Sequence, residues 1–188
     1  MRSGIRIVMI HRSNRRKIVN DAELTAALKS QVAGWTPVIA GKPVQVDLID
    51  FGNISWSTQL SIASDTDILV GMQGAGMAWL YVMPPKAVMV EINCRYHSDA
   101  TTGINTNAGS TFGRLASWAG ITHAVYRVPE AHIVNPPKLQ RAGGAVDVTV
   151  PVVAFLKLMR TALCHLTSSS PGDDRECKLY IDAAMENK

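Results

Sequence analysis

Three arginines, Arg12, Arg15 and Arg16, lie within five residues of one another, directly after an apolar run. Planar guanidinium groups match the oxygens of a diphosphate and can neutralise negative charge that develops on a phosphorylated leaving group. A basic loop that simply faces solvent explains the same residues equally well. The arginine loop is therefore a candidate anion site, and its interpretation depends on what the fold places beside it.

A glycine-rich turn is the second candidate. Residues 68–70 predict a buried strand, and residues 77–82 predict a helix that Pro84 and Pro85 end. Glycines at such a junction let backbone N–H groups approach a ligand, and the N-terminus of a helix favours an anion. A tight strand-to-helix turn without any ligand remains the alternative. The candidate binding residues of the turn are Gln73, Gly74, Ala75, Gly76 and Met77.

Other polar and aromatic residues carry weaker signals. Glu91 ends a predicted strand and could accept hydrogen bonds from ribose hydroxyls, although a partly exposed strand-end acid is the preferred interpretation. The five histidines and three cysteines show no metal-ligand spacing, so no metal site is expected. Trp56, Trp79 and Trp118 are expected to pack in the core rather than to stack on a base.

The elements that must position these residues alternate between strands and helices. The predicted strands cover 5–10, 44–51, 68–70, 87–92 and 124–128, and the main helices follow Asn20 and cover 55–63, 112–119 and 150–166. This order predicts an α/β fold with a doubly wound, Rossmann-like parallel sheet. Ligands bind such sheets at the carboxyl ends of the strands, which is where the arginine loop, the glycine turn and Glu91 lie.

Bulk composition fits one globular domain over residues 1–166 and a polar tail over 167–188. The chain has 188 residues, 47% of them apolar, and a formal charge of +4 with the basic excess near its N-terminus. That excess indicates an anionic partner, but basic residues without interleaved aromatics disfavour nucleic acid. No targeting segment is visible. Cys164 and Cys177 either pair across a turn or remain free thiols.

The turn and the strands around it resemble glycosyltransferase family 61. The similar residues are 68–77, Met83-Pro84-Pro85 and 88–92, together with Arg16, Ile18 and Asn20 near the arginine loop and Leu115, Ala116, Gly120 and Tyr126 further on. The resemblance covers roughly residues 5–166. The family includes plant xylosyl- and arabinosyltransferases.

The resemblance implies a GT-B type enzyme, in which two Rossmann-like halves enclose the active site, and it identifies this chain with the C-terminal, donor-binding half. It implies a UDP-sugar donor, an inverting reaction without a metal, a glycan or protein acceptor, and the lumen of the Golgi or endoplasmic reticulum. Arg12, Arg16 and the turn 73–77 would contact the diphosphate, and Glu91 would contact ribose. No catalytic residue is assigned.

Two departures from the family pattern keep the enzymatic assignment open. The family commonly has His where this chain has Gln73, and an amide cannot carry a proton at neutral pH. The chain is also about half as long as a GT-B enzyme, so we expect a fragment or a chain completed by an N-terminal half. The alternative is a non-catalytic nucleotide-binding or interaction domain of the same fold. A dinucleotide-dependent oxidoreductase is disfavoured, because the glycines follow the third strand and not the first.

Overall fold

The computed structural model describes residues 3–39, 41–94, 103–104, 111–134 and 146–168. Five parallel strands form a sheet in the order β2-β1-β3-β4-β6, and a two-residue strand pairs antiparallel with β6 at the edge. The strands are β1 Ile5–His11, β2 Val44–Asp50, β3 Ile68–Met72, β4 Val88–Asn93, β5 Gly103–Ile104 and β6 Thr122–Arg127. The predicted α/β class with a parallel sheet is confirmed.

Helices cover both faces of the sheet, as in a doubly wound fold. They are α1 Asp21–Val32, α2 Thr36–Ile39, α3 Trp56–Ser64, α4 Thr111–Ala119 and α5 Val152–Thr167, with 3₁₀ helices at Phe51–Asn53, Ala75–Val82 and Glu130–His132. Helices α1, α2 and α5 pack on one face around Leu28 and Phe155. The 3₁₀ helix Ala75–Val82 and α4 pack on the other around Leu80 and Ala116.

The central strands are buried on both faces, which explains their apolar composition. All five residues of β3 and all six of β4 are buried. A strand covered by helices on both sides reads as a continuous apolar run instead of an alternating one. The same burial makes Glu91, in the interior of β4, an exception that needs a partner.

The helix predicted after the glycine turn is present in the 3₁₀ form, and glycine within its first turn disfavours the α form by about 1 kcal/mol. Asn20 and Glu23 have the spacing of a capping box, which predicts that Asn20 caps α1. That prediction is wrong, because the Asn20 side chain makes no capping bond. Its amide instead donates to the carbonyl of Val150 (2.9 Å) and accepts from the N–H of Val150 (3.0 Å). Asn20 and Glu23 are nevertheless joined by a side-chain hydrogen bond of 3.1 Å.

Some predictions fall outside the described residues. These include the proposed tail, apart from its first two residues, and Cys177. Cys164 is disulfide-bonded, and Cys94 is not part of a disulfide. Within the described ranges, none of the helices combines the length and the apolar character needed to cross a membrane.

Candidate functional site

The connections from β1 and β3 diverge at the carboxyl edge of the sheet. Strand β1 lies between β2 and β3, so the chain crosses to one side after β1 and returns on the other side to form β3. In doubly wound sheets this reversal opens a crevice in which ligands bind. The arginine loop follows β1 and the glycine turn follows β3, so they form the two sides of the crevice.

The two candidate segments meet at Gly74. A β-carbon placed on Gly74 would lie 2.7 Å from Nη1 of Arg12 and 3.2 Å from Nη1 of Arg16, so both guanidinium groups lie against this glycine. Nη1 of Arg16 also donates to the carbonyl oxygen of Gln73 over 3.2 Å. The absence of a side chain at residue 74 thus creates the space in which the two cations converge.

Arg12 occupies an environment that disfavours its own charge. Its Nη1 is buried and has no hydrogen-bond partner among the described residues. Burial lowers the pKa of Arg12, and the neighbouring charges of Arg16 and Arg15 lower it further. A buried donor without a partner marks a position where a ligand oxygen can complete the hydrogen bonding. The site is therefore electrostatically suited to an anion.

The other N-terminal arginine in the described sheet is used differently. Arg6 in β1 lies 3.2 Å from Asp47 and 3.0 Å from Asp65, and its backbone N–H donates to Asp67 over 2.7 Å. These contacts lie at the amino end of the sheet. Asp47 and Asp65 therefore pair with the guanidinium of Arg6, while Arg12 and Arg16 stay concentrated at the carboxyl end.

A segment far along the chain holds the end of the arginine loop. Val148 donates to the carbonyl of Lys17 and accepts from the N–H of Val19, both over 2.8 Å. The N–H of Lys17 donates to Asp147 over 2.9 Å. Arg16, just before this brace, has a positive φ of 56°, which non-glycine residues seldom adopt. The brace stabilises the bend that directs Arg16 toward the glycine turn.

A histidine–aspartate pair borders the same crevice. Nδ1 of His11 lies 2.7 Å from Oδ2 of Asp21, whose carboxylate is buried at the start of α1. A carboxylate bound to one ring nitrogen fixes the ring orientation and leaves the other nitrogen for a ligand. The sequence indicated that His11 adjoins the arginines, but nothing in the pattern showed the partnership with Asp21.

The crevice opens into a cavity of about 380 Å³. Its walls combine cations, a carboxylate and aromatic rings. The residues that line it include His11, Arg12, Arg15, Asp50, Phe51, Gln59, Gly76 and Trp79. A second hollow of about 440 Å³ shares Gln59, Gly76 and Trp79 and adds Trp56 and Ala75. The two form one groove along the carboxyl edge of β1, β2 and β3.

Residues 3–90 match the family model for glycosyltransferase 61. The chain is also 36% identical over 92 residues to the EGF domain-specific O-linked N-acetylglucosamine transferase of Gallus gallus, and 33% identical over 92 residues to that of Drosophila melanogaster. Each alignment covers 48% of this chain and 16% of the relative, so the chain spans a small part of the relatives' length. The resemblance to glycosyltransferase family 61 seen in the sequence is confirmed over the matched residues.

The glycosyltransferase 61 match contains the whole groove. The arginine loop, the glycine turn and the aromatic residues of the walls all lie within residues 3–90, whereas Glu91 lies one residue beyond. Ala75 and Gly76 line the groove. Met77 does not: its side chain is fully buried, with its sulfur against Gly71. Met77 therefore anchors the turn from beneath.

Glu91 is placed differently from the predicted ribose contact. Strand β4 continues to Asn93, and the Glu91 carboxylate is fully buried, 2.8 Å from Nε2 of His123. Nδ2 of Asn93 donates to the same carboxylate over 3.3 Å. Because the carboxylate faces these interior partners, the geometry favours a structural role for Glu91. Nothing in the strand pattern showed that His123 would be its partner.

The tryptophans also depart from the expected core positions. Trp118 is 79% exposed and Trp56 is 67% exposed, so core packing was wrong for both. Of these three tryptophans, Trp79 is the one that is partly buried. The rings of Trp56 and Trp79 lie 5.6 Å apart between centroids, and both line the groove. Apolar neighbours in sequence could not distinguish a helix position facing the sheet from one facing the groove.

Proposed function

We propose that this chain forms the donor-binding domain of a glycosyltransferase that uses a UDP-sugar and transfers the sugar, with inversion, to a protein or glycan acceptor. The observation that carries the proposal is the convergence of Arg12 and Arg16 on Gly74 at the reversal point of the sheet, inside the segment that matches glycosyltransferase 61. The relatives named above are O-linked N-acetylglucosamine transferases, which makes N-acetylglucosamine the first sugar to test.

The proposed chemistry follows from the cations. When the sugar departs, the nucleoside diphosphate gains negative charge, and we propose that Arg12, Arg16 and the backbone of residues 73–76 stabilise that charge. Fixed guanidinium groups can do this without a metal ion, so we propose metal-independent transfer. Inversion requires an acceptor hydroxyl that attacks the sugar on the face opposite the leaving group, and a base that takes the proton of that hydroxyl. We assign the base to an N-terminal half of the GT-B type.

The compartment proposed from the family resemblance is the lumen of the Golgi or endoplasmic reticulum. The disulfide at Cys164 supports this proposal, because disulfides persist in oxidising compartments. Detection of the protein with a lumenal marker in a protease-protection assay would test it. Digestion of the protein in intact microsomes would contradict it.

A second candidate function is non-catalytic nucleotide binding on the same fold. It rests on Gln73, whose side chain is 9% exposed beside the arginines where the family commonly has His. The amide can hold a ligand but cannot shuttle a proton. Restoring the family residue with Gln73→His, in a chain completed by an N-terminal half, distinguishes the candidates. Activity that appears only in the variant supports the non-catalytic function.

Isothermal titration of the purified chain with UDP and UDP-N-acetylglucosamine, with and without EDTA, tests the main proposal. We expect saturable binding of both ligands that EDTA does not change, and weaker binding of NAD. Folded protein that binds no UDP species would overturn the proposal, and binding that EDTA abolishes would overturn its metal-independent part.

A further inference from the structure

We infer that the groove beside the arginines is a nucleoside subsite, in which Asp50 accepts hydrogen bonds from ribose hydroxyls and the Trp56–Trp79 pair receives the base. This inference rests on the proposed function, since it identifies the part of the donor that the groove holds. The ribose role expected of Glu91 in the sequence thereby passes to a residue of the groove itself.

Asp50 has the position and the spare acceptor capacity for a ribose diol. It ends β2, next to β1, and lines the 380 Å³ cavity together with Arg12 and Trp79. Its Oδ1 accepts from the N–H of Gly52 (2.9 Å) and its Oδ2 from the amide of Asn53 (2.7 Å). Those bonds fix the carboxylate, and each oxygen retains a second lone pair. An acid at the end of the second strand is also where dinucleotide-binding sheets hold ribose hydroxyls.

The aromatic wall is fixed by one glutamine. Oε1 of Gln59 accepts from the indole N–H of Trp79 over 3.1 Å. Its Nε2 donates to the carbonyls of Phe51 (2.7 Å) and Ile54 (3.2 Å). Phe51 then packs edge-on against Trp79, with ring centroids 6.4 Å apart. The partly buried Trp79 is thus held from two sides before any ligand arrives.

Trp56 extends this wall into solvent. Its ring lies 5.6 Å from that of Trp79 at an interplanar angle of 51°, and it is 67% exposed. An exposed indole tilted against a fixed one leaves aromatic surface in contact with water, which suits a planar ligand that stacks on it. Trp118, still more exposed, lies on α4 and is absent from the linings of both hollows, so it serves as a matched control.

The chemistry of the lining residues favours a nucleoside diphosphate over an acceptor sugar as the occupant. The groove brings together the guanidinium groups of the arginine loop, the Asp50 carboxylate and aromatic rings. A nucleoside diphosphate offers a partner for each of them in its diphosphate, its ribose and its base. An acceptor sugar would bring no anion to the arginines.

Titration calorimetry with UDP, uridine monophosphate and inorganic pyrophosphate tests the subsite on the whole chain. We expect Trp56→Ala to weaken UDP binding about tenfold, in line with the loss of one base–aromatic stack, and to leave pyrophosphate binding unchanged. Asp50→Asn should likewise weaken UDP binding and leave pyrophosphate binding unchanged. Trp118→Ala should bind all three ligands like the unmodified chain, and thermal unfolding verifies that each variant is folded.

The outcomes separate this inference from the proposed function. Equal affinities of the unmodified chain for UDP and pyrophosphate, or UDP binding that Trp56→Ala leaves unchanged, would overturn the nucleoside subsite while leaving the diphosphate site in place. Absence of binding by all three ligands would overturn the proposed function itself. Weakened binding of free N-acetylglucosamine by Trp56→Ala, with UDP unaffected, would reassign the aromatic pair to a sugar.

Discussion

The guanidinium of Arg16 donates to the carbonyl oxygen of Gln73, although 57 positions separate the two residues in the chain. This bond joins the loop after β1 to the turn after β3 and closes the crevice at the reversal point of the sheet. The shape of the candidate site therefore depends on a side chain from one segment and on the backbone of the other. Substitutions on either side should affect ligand binding.

Removal of either converging arginine should weaken UDP binding. Arg12→Ala and Arg16→Ala are each expected to cost about 1–3 kcal/mol, the range for hydrogen bonds to charged groups. Calorimetric titration at fixed salt measures the effect. Arg114→Ala removes an exposed arginine from α4 and should bind UDP normally. If all three variants bind UDP as tightly as the unmodified chain, the UDP site lies elsewhere.

A methyl group at residue 74 should displace the guanidinium of Arg12, because a β-carbon there would lie 2.7 Å from Nη1. The far end of a flexible side chain moves easily, so we expect Gly74→Ala to lower UDP affinity about tenfold while unfolding near the normal temperature. Gly120→Ala provides the contrast. Gly120 has a φ of +69° with open space around it, so that variant should lose about 1 kcal/mol of stability and keep its affinity. If Gly74→Ala instead lost stability and kept its UDP affinity, Gly74 would serve only the fold.

Arg12 should reduce stability when no anion is bound. Its pKa is lowered in the folded chain by burial and by Arg16 and Arg15. A cationic group whose pKa is lower in the folded chain than in the unfolded chain reduces the free energy of unfolding at neutral pH. That reduction disappears only as the pH rises through the pKa of the group in the folded chain. Arg12→Gln should therefore unfold at a higher temperature, by about 0.5 kcal/mol in stability, the scale of a like-charge contact. A lower unfolding temperature in low-phosphate buffer would contradict this account.

The buried pair of Glu91 and His123 should matter for stability and not for ligand binding. His123→Leu leaves the Glu91 carboxylate without its 2.8 Å partner and should cost about 3 kcal/mol. Replacing both residues, Glu91→Leu with His123→Leu, should recover part of that loss. Chemical denaturation measures the unfolding free energy of the unmodified chain, of His123→Leu and of the double variant. A milder variant, Glu91→Gln, should keep its UDP affinity, and a large loss of affinity would restore Glu91 as a ribose contact.

The side-chain amide of Asn20 should be required for full stability of the fold. Asn20→Asp replaces the donor to the carbonyl of Val150 with a carboxylate oxygen, so we expect a loss of about 1–3 kcal/mol. Aspartate is a good capping residue, so a role in capping α1 would predict no loss. The unfolding free energy of the variant distinguishes the two roles.

Much of the fold could be predicted because its signals are local. The apolar runs of β3 and β4 and the alternation of strands with helices predict a parallel sheet, and the sheet places Arg12 and Gly74 at one edge. Their proximity follows from topology. The exact contact with Gly74 does not, because it depends on the bend at Arg16 that residues 147–148 stabilise.

The errors come from long-range partners. Asn20 has the sequence features of a cap, but its true partner, Val150, is 130 residues away. Glu91 resembles a strand-end acid until β6 supplies His123 beside it. Trp56 and Trp118 have apolar neighbours that hide which side of the helix faces water. For Asn20 and Glu91 a long-range contact decided the surroundings of the side chain, and no local pattern encodes such a contact.

The match to glycosyltransferase 61 ends at residue 90, but the packing that supports the arginine loop does not. Val148 is fully buried against Ile18, and α5 packs on α1 and α2 with Phe155 fully buried. A chain shortened after β4 would expose the inner face of α1 and release residues 17–19. We therefore expect the matched segment alone to be less stable than the whole chain, and its arginine loop to lose the support that residues 147–148 provide.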